Sequence, residues 1–400
     1  MKPKISFKGF KEPWEVSTLR NFFSKVNEKN ARMLYSAVLT NSAEYGIIDQ
    51  RDYFDFDVAN SNNISGYYIV QPDDFVYNPR VSVTAPVGPI NKNELGYTGV
   101  MSPLYLVFKI NGINKDYLCH YFKSNKWHKF MRISGNCGAR FDRLSISDEQ
   151  FVQMPIPYPI NSKEQQTICN YLEKIDKLIS TVSSRLASLK QVKEASLQAM
   201  FPQRGETVPK IRFKGFEGEW VITKAAEIFK TVNERNFSGL PVLSATQDKG
   251  MVTRESIGYN IFHDKANEST YKHIRPGQFV MHLRSFQGGF AHSAIEGICS
   301  PAYTIMEFKD KEVNHDLYWK YVLASKRFIK SLEMITYGIR DGRTISFDEF
   351  KEMVFLVPKV EEQQQIASYF TSLDKQIALQ TQRLEKLRQI KAACLDKMFV

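Results

Sequence analysis

The chain has 400 residues, 43% hydrophobic and 24% charged, with a net charge of +11 and a pI of about 9.2. That length and composition predict two or three soluble globular domains whose cores need no disulfide staples. Five scattered cysteines without a Cys-x-x-Cys pair exclude a zinc ribbon or a disulfide framework, and no run is apolar enough for a leader or a membrane span, so a cytoplasmic protein is expected. The basic excess suits a polyanionic partner, of which nucleic acid is the commonest.

In chain order, Gly66–Val70, Phe75–Tyr77 and Leu104–Phe108 read as strands, and Tyr117–Met131 reads as a helix. A helix of roughly 38 residues, about 57 Å long, follows from Ser162 to Phe201. Its apolar residues Ile168, Leu172, Ile175, Ile179, Val182, Leu186 and Leu189 step by four and three, which makes a heptad seam. Pro202–Pro209, with two prolines and a glycine, reads as a linker. Then come strands at Phe279–Met281 and Tyr303–Phe308, and a helix at Leu317–Met334. A second long helix runs from Glu361 to Phe399, with a seam of Ile366, Phe370, Leu373, Ile377, Leu384 and Leu387, and Gln380 at one seam position. Two such seams predict that the long helices pair with each other; ordinary amphipathic packing on a core is the plainer reading.

The chain repeats itself along its whole length. Pro3-Lys-Ile-Ser-Phe-Lys-Gly-Phe10 with Trp14 recurs as Pro209-Lys-Ile-Arg-Phe-Lys-Gly-Phe216 with Trp220. Gly99 and Ser102-Pro103-x-Tyr105 recur as Gly297 and Ser300-Pro301-x-Tyr303, and Gly138, Arg140 and Arg143 as Gly338, Arg340 and Arg343. A unit of about 200 residues is too long for a solenoid and fits a duplicated domain plus helix. The copies agree at framework positions and differ between them. The stretch from Asn78 to Asn93 shares little with His282–Ser293, as expected of one scaffold carrying two loop sets for two ligands of one class.

No P-loop, no Gly-x-Gly-x-x-Gly and no metal-spaced histidines are present. Asn78-Pro79 lacks the second proline and aromatic of an amino-methyltransferase loop. Pro72-Asp73-Asp74 could open a nuclease site, but no Asp/Glu-x-Lys follows and the other copy reads Pro276-Gly-Gln278, so a turn is predicted. No catalytic residue is assigned. What remains is cationic, amide and aromatic side chains in loops, the types that read bases and neutralise phosphates. The candidates for DNA contact are Arg51, Tyr77, Asn78, Arg80, Asn91 and Lys92 in the first copy, and Arg254, His282, Arg284, Ser285 and Gln287 in the second. Arg140, Arg143, Arg340 and Arg343, present in both copies, suit a shared role such as phosphate contact or framework ion pairing.

These residues resemble the specificity subunits of type I restriction–modification systems. The likeness spans the duplicated start, the Ser-Pro-x-Tyr segments, the Glu164-Gln-Gln166 and Glu362-Gln-Gln364 helix starts, and the Met200-Phe201 and Met398-Phe399 ends. It implies an α+β fold with two similar target-recognition domains, separated by two long antiparallel coiled-coil helices in a pseudo-two-fold repeat. The expected spans are 1–160 and 204–358 for the domains, and 161–203 and 359–400 for the spacer helices. The resemblance also implies a non-catalytic subunit that recognises a bipartite site in double-stranded DNA. Two methyltransferase (modification) subunits would dock on the helices, and restriction subunits would join through them. S-adenosylmethionine, ATP and Mg²⁺ would belong to those partners. An enzyme with an unrecognised nuclease site, or a coiled-coil adaptor without a DNA role, are the competing classes. For antiparallel helices the two chain ends should meet, and cysteines at Ile168 and Leu387 are expected to face each other.

Overall fold

The computed structural model describes residues 1–53, 61–136, 142–246, 249–257, 265–281, 290–332 and 346–400. Two compact units emerge: Met1–Ser183 with Gln382–Val400, and Ser184–Thr381. Each unit therefore holds one α+β domain and part of each long helix.

In the first unit, strands Phe23–Lys25, Leu106–Ile110, Phe75–Tyr77 and Ile90–Lys92 form an antiparallel sheet in that spatial order. Alternation along the strands sorts side chains to two faces. Phe75, Tyr77 and Phe108 enter the large core with Trp14, Tyr117, Phe151 and Leu172, while Val76 and Val107 enter a smaller core with Val26, Leu39 and Val70. Behind it, hairpin Leu39–Ser42/Gly46–Asp49 and the pair Tyr68–Val70/Gly99–Met101 are joined by a parallel bridge from Val38 to Val100. Gly99 is required at that junction. A Cβ there would sit 2.6 Å from Leu39 Cγ and 2.9 Å from the Ala37 carbonyl oxygen.

The second unit repeats the design. Phe229–Val232, Thr304–Phe308, Phe279–Met281 and Ala291–His292 form the first sheet, and Gly250–Thr253, Val242–Thr246, Gly297–Cys299 and Lys272–Ile274 the second. The Pro72–Asp74 turn is a turn in both copies. Asp73 and Gly277 take left-handed φ of 67° and 84°. The Asp74 carboxylate accepts from the Gln71 amide at 2.8 Å, and the Gln278 amide oxygen accepts from Arg275 N at 2.7 Å.

The helix expected over Tyr117–Met131 is two helices, Lys115–Lys123 and His128–Ser134. The break is chemical. The Ser124 hydroxyl takes the Tyr121 carbonyl at 2.6 Å, and the buried Trp127 indole takes the Phe122 and Ser124 carbonyls. The second copy breaks likewise, into Asp316–Leu323 and Lys326–Leu332, with the Ser325 hydroxyl on the Val322 carbonyl; Met334 lies outside the described residues.

The long helices span Ser162–Ala199 and Val360–Lys397. They run antiparallel within each unit. In the first, Asp176 pairs with Lys391 and the Tyr171 hydroxyl meets the Cys394 thiol. In the second, Lys193 bonds Asp374 and Ser196 bonds Tyr369. Most seam residues are buried, Gln380 among them. The register differs from the expected Ile168–Leu387 pairing. Continued from Asp176–Lys391, it sets Ile168 against the Met398 end, about 16 Å from Leu387 along the helix. The repeated Pro-Lys-Ile motifs close the helix ends. Ile5 N donates to the Lys397 carbonyl at 3.0 Å in the first unit, and Ile211 N to the Ala199 carbonyl at 3.0 Å in the second. Each supplies a donor for an orphan carbonyl of a helix C-terminus.

Candidate nucleic-acid interface

The two loop sets occupy one topological place. Residues 78–89 connect Phe75–Tyr77 to Ile90–Lys92 in the first unit, and residues 282–289 connect Phe279–Met281 to Ala291–His292 in the second. His282, Arg284, Ser285 and Gln287 lie in the latter stretch, outside the described residues, as do Arg140, Arg340 and Arg343.

In the first unit the structure brings Arg80 and Arg143 together. They face each other in an antiparallel bridge, fixed by Val81 N to the Asp142 carbonyl at 2.9 Å and Leu144 N to the Pro79 carbonyl at 2.9 Å. The hairpin loop is thereby stitched to the segment that follows helix His128–Ser134. Arg80 is exposed, and the Arg143 guanidinium lies 4.0 Å from Asp142 with its side chain partly exposed. Two cations held side by side on an exposed ribbon can each neutralise a phosphate or reach a base edge.

Three candidates have partners within the protein. Tyr77 is a core residue: its ring stacks on Phe151 at 5.2 Å and its hydroxyl donates to the Val87 carbonyl at 3.1 Å. Lys92 is engaged by carboxylates, bonded to Asp116 and 3.5 Å from Asp73 and 3.8 Å from Glu94. Burial opposes its charge, yet the Asp116 hydrogen bond and the nearby carboxylates hold its ammonium above the usual lysine range. Asn91 belongs to an amide network. Its Nδ2 donates to Asn41 Oδ1 at 2.7 Å and to the Ser42 carbonyl at 3.2 Å. These three were candidates for DNA contact because their residue types match, and in the fold their side chains bond within the protein.

Asn78 has a double allegiance. Its Nδ2 donates to the Asn41 carbonyl at 2.9 Å and its Oδ1 accepts from Arg80 N at 3.0 Å, so it sets the backbone that presents Arg80. Asn41 is the hub that the sequence reading missed. Buried, it donates to the Val76 carbonyl at 2.7 Å and the Pro89 carbonyl at 3.3 Å, tying the hairpin base to strand Leu39–Ser42. The one signal for it is a polar Thr-Asn-Ser run inside a strand.

Arg51 and Arg254 follow equivalent hairpins. Arg51 sits on the turn after Gly46–Asp49, with its Nε 3.4 Å from Asp49 and its side chain 70% exposed. Arg254 follows Gly250–Thr253, bonds the Ser244 hydroxyl at 3.3 Å and lies over the Tyr271 ring at 5.7 Å. His292 is a buried polar contact. Its Nε2 is 2.8 Å from Asp316, whose carboxyl that hydrogen bond holds below the usual range. Among the described residues no group of histidine, cysteine or carboxylate side chains is arranged to hold a metal, and no helix is long and apolar enough to cross a membrane.

Comparison with known proteins follows the same lines. The family described as Type I restriction modification DNA specificity domain matches residues 11–191 and again 217–389. The MjaVIII type I restriction enzyme specificity subunit of Methanocaldococcus jannaschii is 21% identical over 320 residues, covering 76% of this chain and 74% of that protein. The type I restriction–modification S subunit from M. genitalium superposes with a TM-score of 0.61 at 12% identity, over 100% of this chain and 99% of that one. A chain from a structural study of the complex assembly and conformational transition of the type I R-M system gives 0.51 at 14% identity, over 97% and 98%. At such identities the two superpositions speak for the fold; the twofold domain match speaks for the family. The chain belongs to the type I restriction–modification DNA specificity family, with its specificity domain present twice.

Proposed function

We propose that this chain is the non-catalytic subunit that chooses the DNA site of a type I restriction–modification complex. Each specificity domain reads one half of a bipartite sequence. The observation that carries the reading is the duplicated domain with unlike loops in the same hairpin, 78–89 and 282–289. One framework with two loop sets fits two half-sites in one duplex. Arg80 and Arg143 contact the first half-site; Arg284, Ser285, Gln287 and His282 are assigned to the second. Arg140, Arg340 and Arg343 are assigned to phosphates, and Arg51 and Arg254 to the flanks of each loop.

Chemistry is left to partners. Two methyltransferase subunits dock on the long helices, and restriction subunits join through them. S-adenosylmethionine serves the former, and ATP with Mg²⁺ the latter. The complex acts beside the chromosome, in the cytoplasm. The test is sequencing of methylated bases in host DNA with and without this chain. A split motif that disappears with the chain supports the reading. An unchanged methylation pattern overturns it.

A further inference from the structure

In the first unit, the hairpin loop 78–89 carries apolar residues at every second position: Val81, Val83, Ala85 and Val87. Ala85 and Val87 are buried, and Val81 packs on the large core. Val83 is fully exposed.

Hydrogen bonds fix the turn that holds it there. Ser82 N donates to the Ala85 carbonyl at 3.0 Å, Ala85 N to the Ser82 hydroxyl at 3.0 Å, and Gly88 N to the Ala85 carbonyl at 3.0 Å. The Ser82 and Thr84 hydroxyls meet at 3.1 Å. Below the turn, the Tyr77 hydroxyl donates to the Val87 carbonyl, and Val81 N to the Asp142 carbonyl. The two sides of the loop close backbone on backbone at Gly88, where a Cβ would lie 2.1 Å from the Asn78 carbonyl oxygen. Turns favour Gly, Pro, Asn, Asp and Ser. A fully exposed valine adds no packing to this one, and its β-branched side chain has few rotamers to lose on contact.

A lone apolar side chain on an ordinary surface needs no explanation. This one tops a loop whose stem holds Arg80 and Arg143 side by side. Paired cations call for a polyanion, not for an apolar protein surface. A two-stranded ribbon fits the major groove of B-DNA, and the apolar group presented there is the C5-methyl of thymine. Side chains that wedge open base steps from the minor groove are mostly longer, such as Phe, Leu, Ile and Met. Valine keeps its two methyls close to the backbone, which suits contact with a methyl on a groove floor.

We propose that Val83 reads a thymine, its methyls packed on the C5-methyl of one base in the first half-site while Arg80 and Arg143 hold phosphates or neighbouring base edges. The proposal rests on the specificity-subunit reading above and adds to it an apolar base-reading residue.

The test uses the full-length chain with the modification subunit of its own system, on duplexes carrying the split motif methylated in host DNA. Each thymine of the motif is replaced in turn by deoxyuridine, which removes only the C5-methyl. At one thymine of one half-site, uracil should weaken binding by the wild-type complex about fourfold, as burial of a single methyl predicts. Val83→Ser should lose about the same factor on the thymine duplex and be indifferent to uracil at that position. Val83→Thr, which keeps one methyl, should fall between the two. Both variants should melt at the wild-type temperature, because the side chain makes no contact in the fold, and should bind the modification subunit as wild type does. The proposal is overturned by a motif with no uracil-sensitive thymine, or by uracil that weakens wild type and Val83→Ser alike at every position. Loss of modification-subunit binding by Val83→Ser in the absence of DNA also overturns it, by making Val83 a protein contact. A wild-type complex that binds the motif no better than a shuffled duplex overturns the specificity-subunit reading itself.

Discussion

At the scale of single residues, the duplication exposes two answers to one problem. The Trp14 indole donates to the buried Glu164 at 3.1 Å. Burial pushes the Glu164 carboxyl up, and the indole hydrogen bond works against that rise. In the second copy Arg212 stands where the first has Ser6. It grips Glu362 with two bonds of 2.7 and 2.8 Å, and the Trp220 indole N–H is left without a partner. Removing the two indole donors should therefore differ. Trp14→Phe strands a buried carboxylate and should cost roughly 1–3 kcal/mol beyond the loss of ring packing, whereas Trp220→Phe should lack that penalty. Denaturant titration of the two Phe variants, compared with each other, checks the contrast. For DNA reading, Arg80→Ala should relax choice in one half-site and leave the other intact, by about 1–3 kcal/mol if the guanidinium grips a guanine. Arg284→Ala and Gln287→Ala should do the same for the other half. Methylome sequencing reads both, and a change in both halves from one substitution would sink the loop assignment.

At the scale of elements, helix Lys115–Lys123 carries a pH sensitivity that its position explains. His120 has its folded pKa lowered from 6.5 to about 4, mainly by burial. The folded state thus binds fewer protons than the unfolded state between those values. Its contribution is whole above about pH 6.5 and is lost as the pH falls towards 4. Wild type should lose roughly 2–3 kcal/mol more than His120→Phe between pH 7 and 4, from the linkage of about 1.4 kcal/mol per pKa unit. Equal pH slopes for the two proteins would refute the assignment. The long helices offer a geometric check. Tyr171 meets Cys394, so Tyr171→Cys should be joined to native Cys394 within one chain by a short thiol crosslinker. Ile168→Cys with Leu387→Cys should not be joined. The heptad seam shows which faces meet but not their register, because every heptad presents the same apolar stripe. What sets the register is the closure of the aromatic core, where Trp14 packs on Phe399 and Phe201 packs on Phe370.

At the scale of the molecule, residues near the two chain ends are bonded to each other within the first unit. Met1 N donates to the Trp14 carbonyl at 3.0 Å, Ile5 to Lys397, and Val400 packs on the core that holds Trp14. Joining residue 400 to residue 1 through a short flexible linker and opening the chain within 202–209 should keep both half-sites. Methylation by the permuted chain in cells is the readout, and loss of one half of the motif alone would show that the opened linker orders its neighbouring domain.

The sequence by itself determined the duplication, the class of the fold, the pairing of the long helices and the place of the variable loops. These follow from periodicity and from the comparison of the chain with itself, both of which are local or internal to the string of residues. It could not tell a side chain left exposed from one already bonded within the protein. Arg80, Asn91 and Lys92 are alike as candidates in one dimension. The tertiary structure separates them: Asn41, 50 positions before Asn91, takes its amide, and Asp116, 24 positions after Lys92, takes its ammonium. Arg80 is left exposed on a ribbon beside Arg143. Whether a polar group is already satisfied depends on partners brought near by folding, and burial makes that satisfaction compulsory.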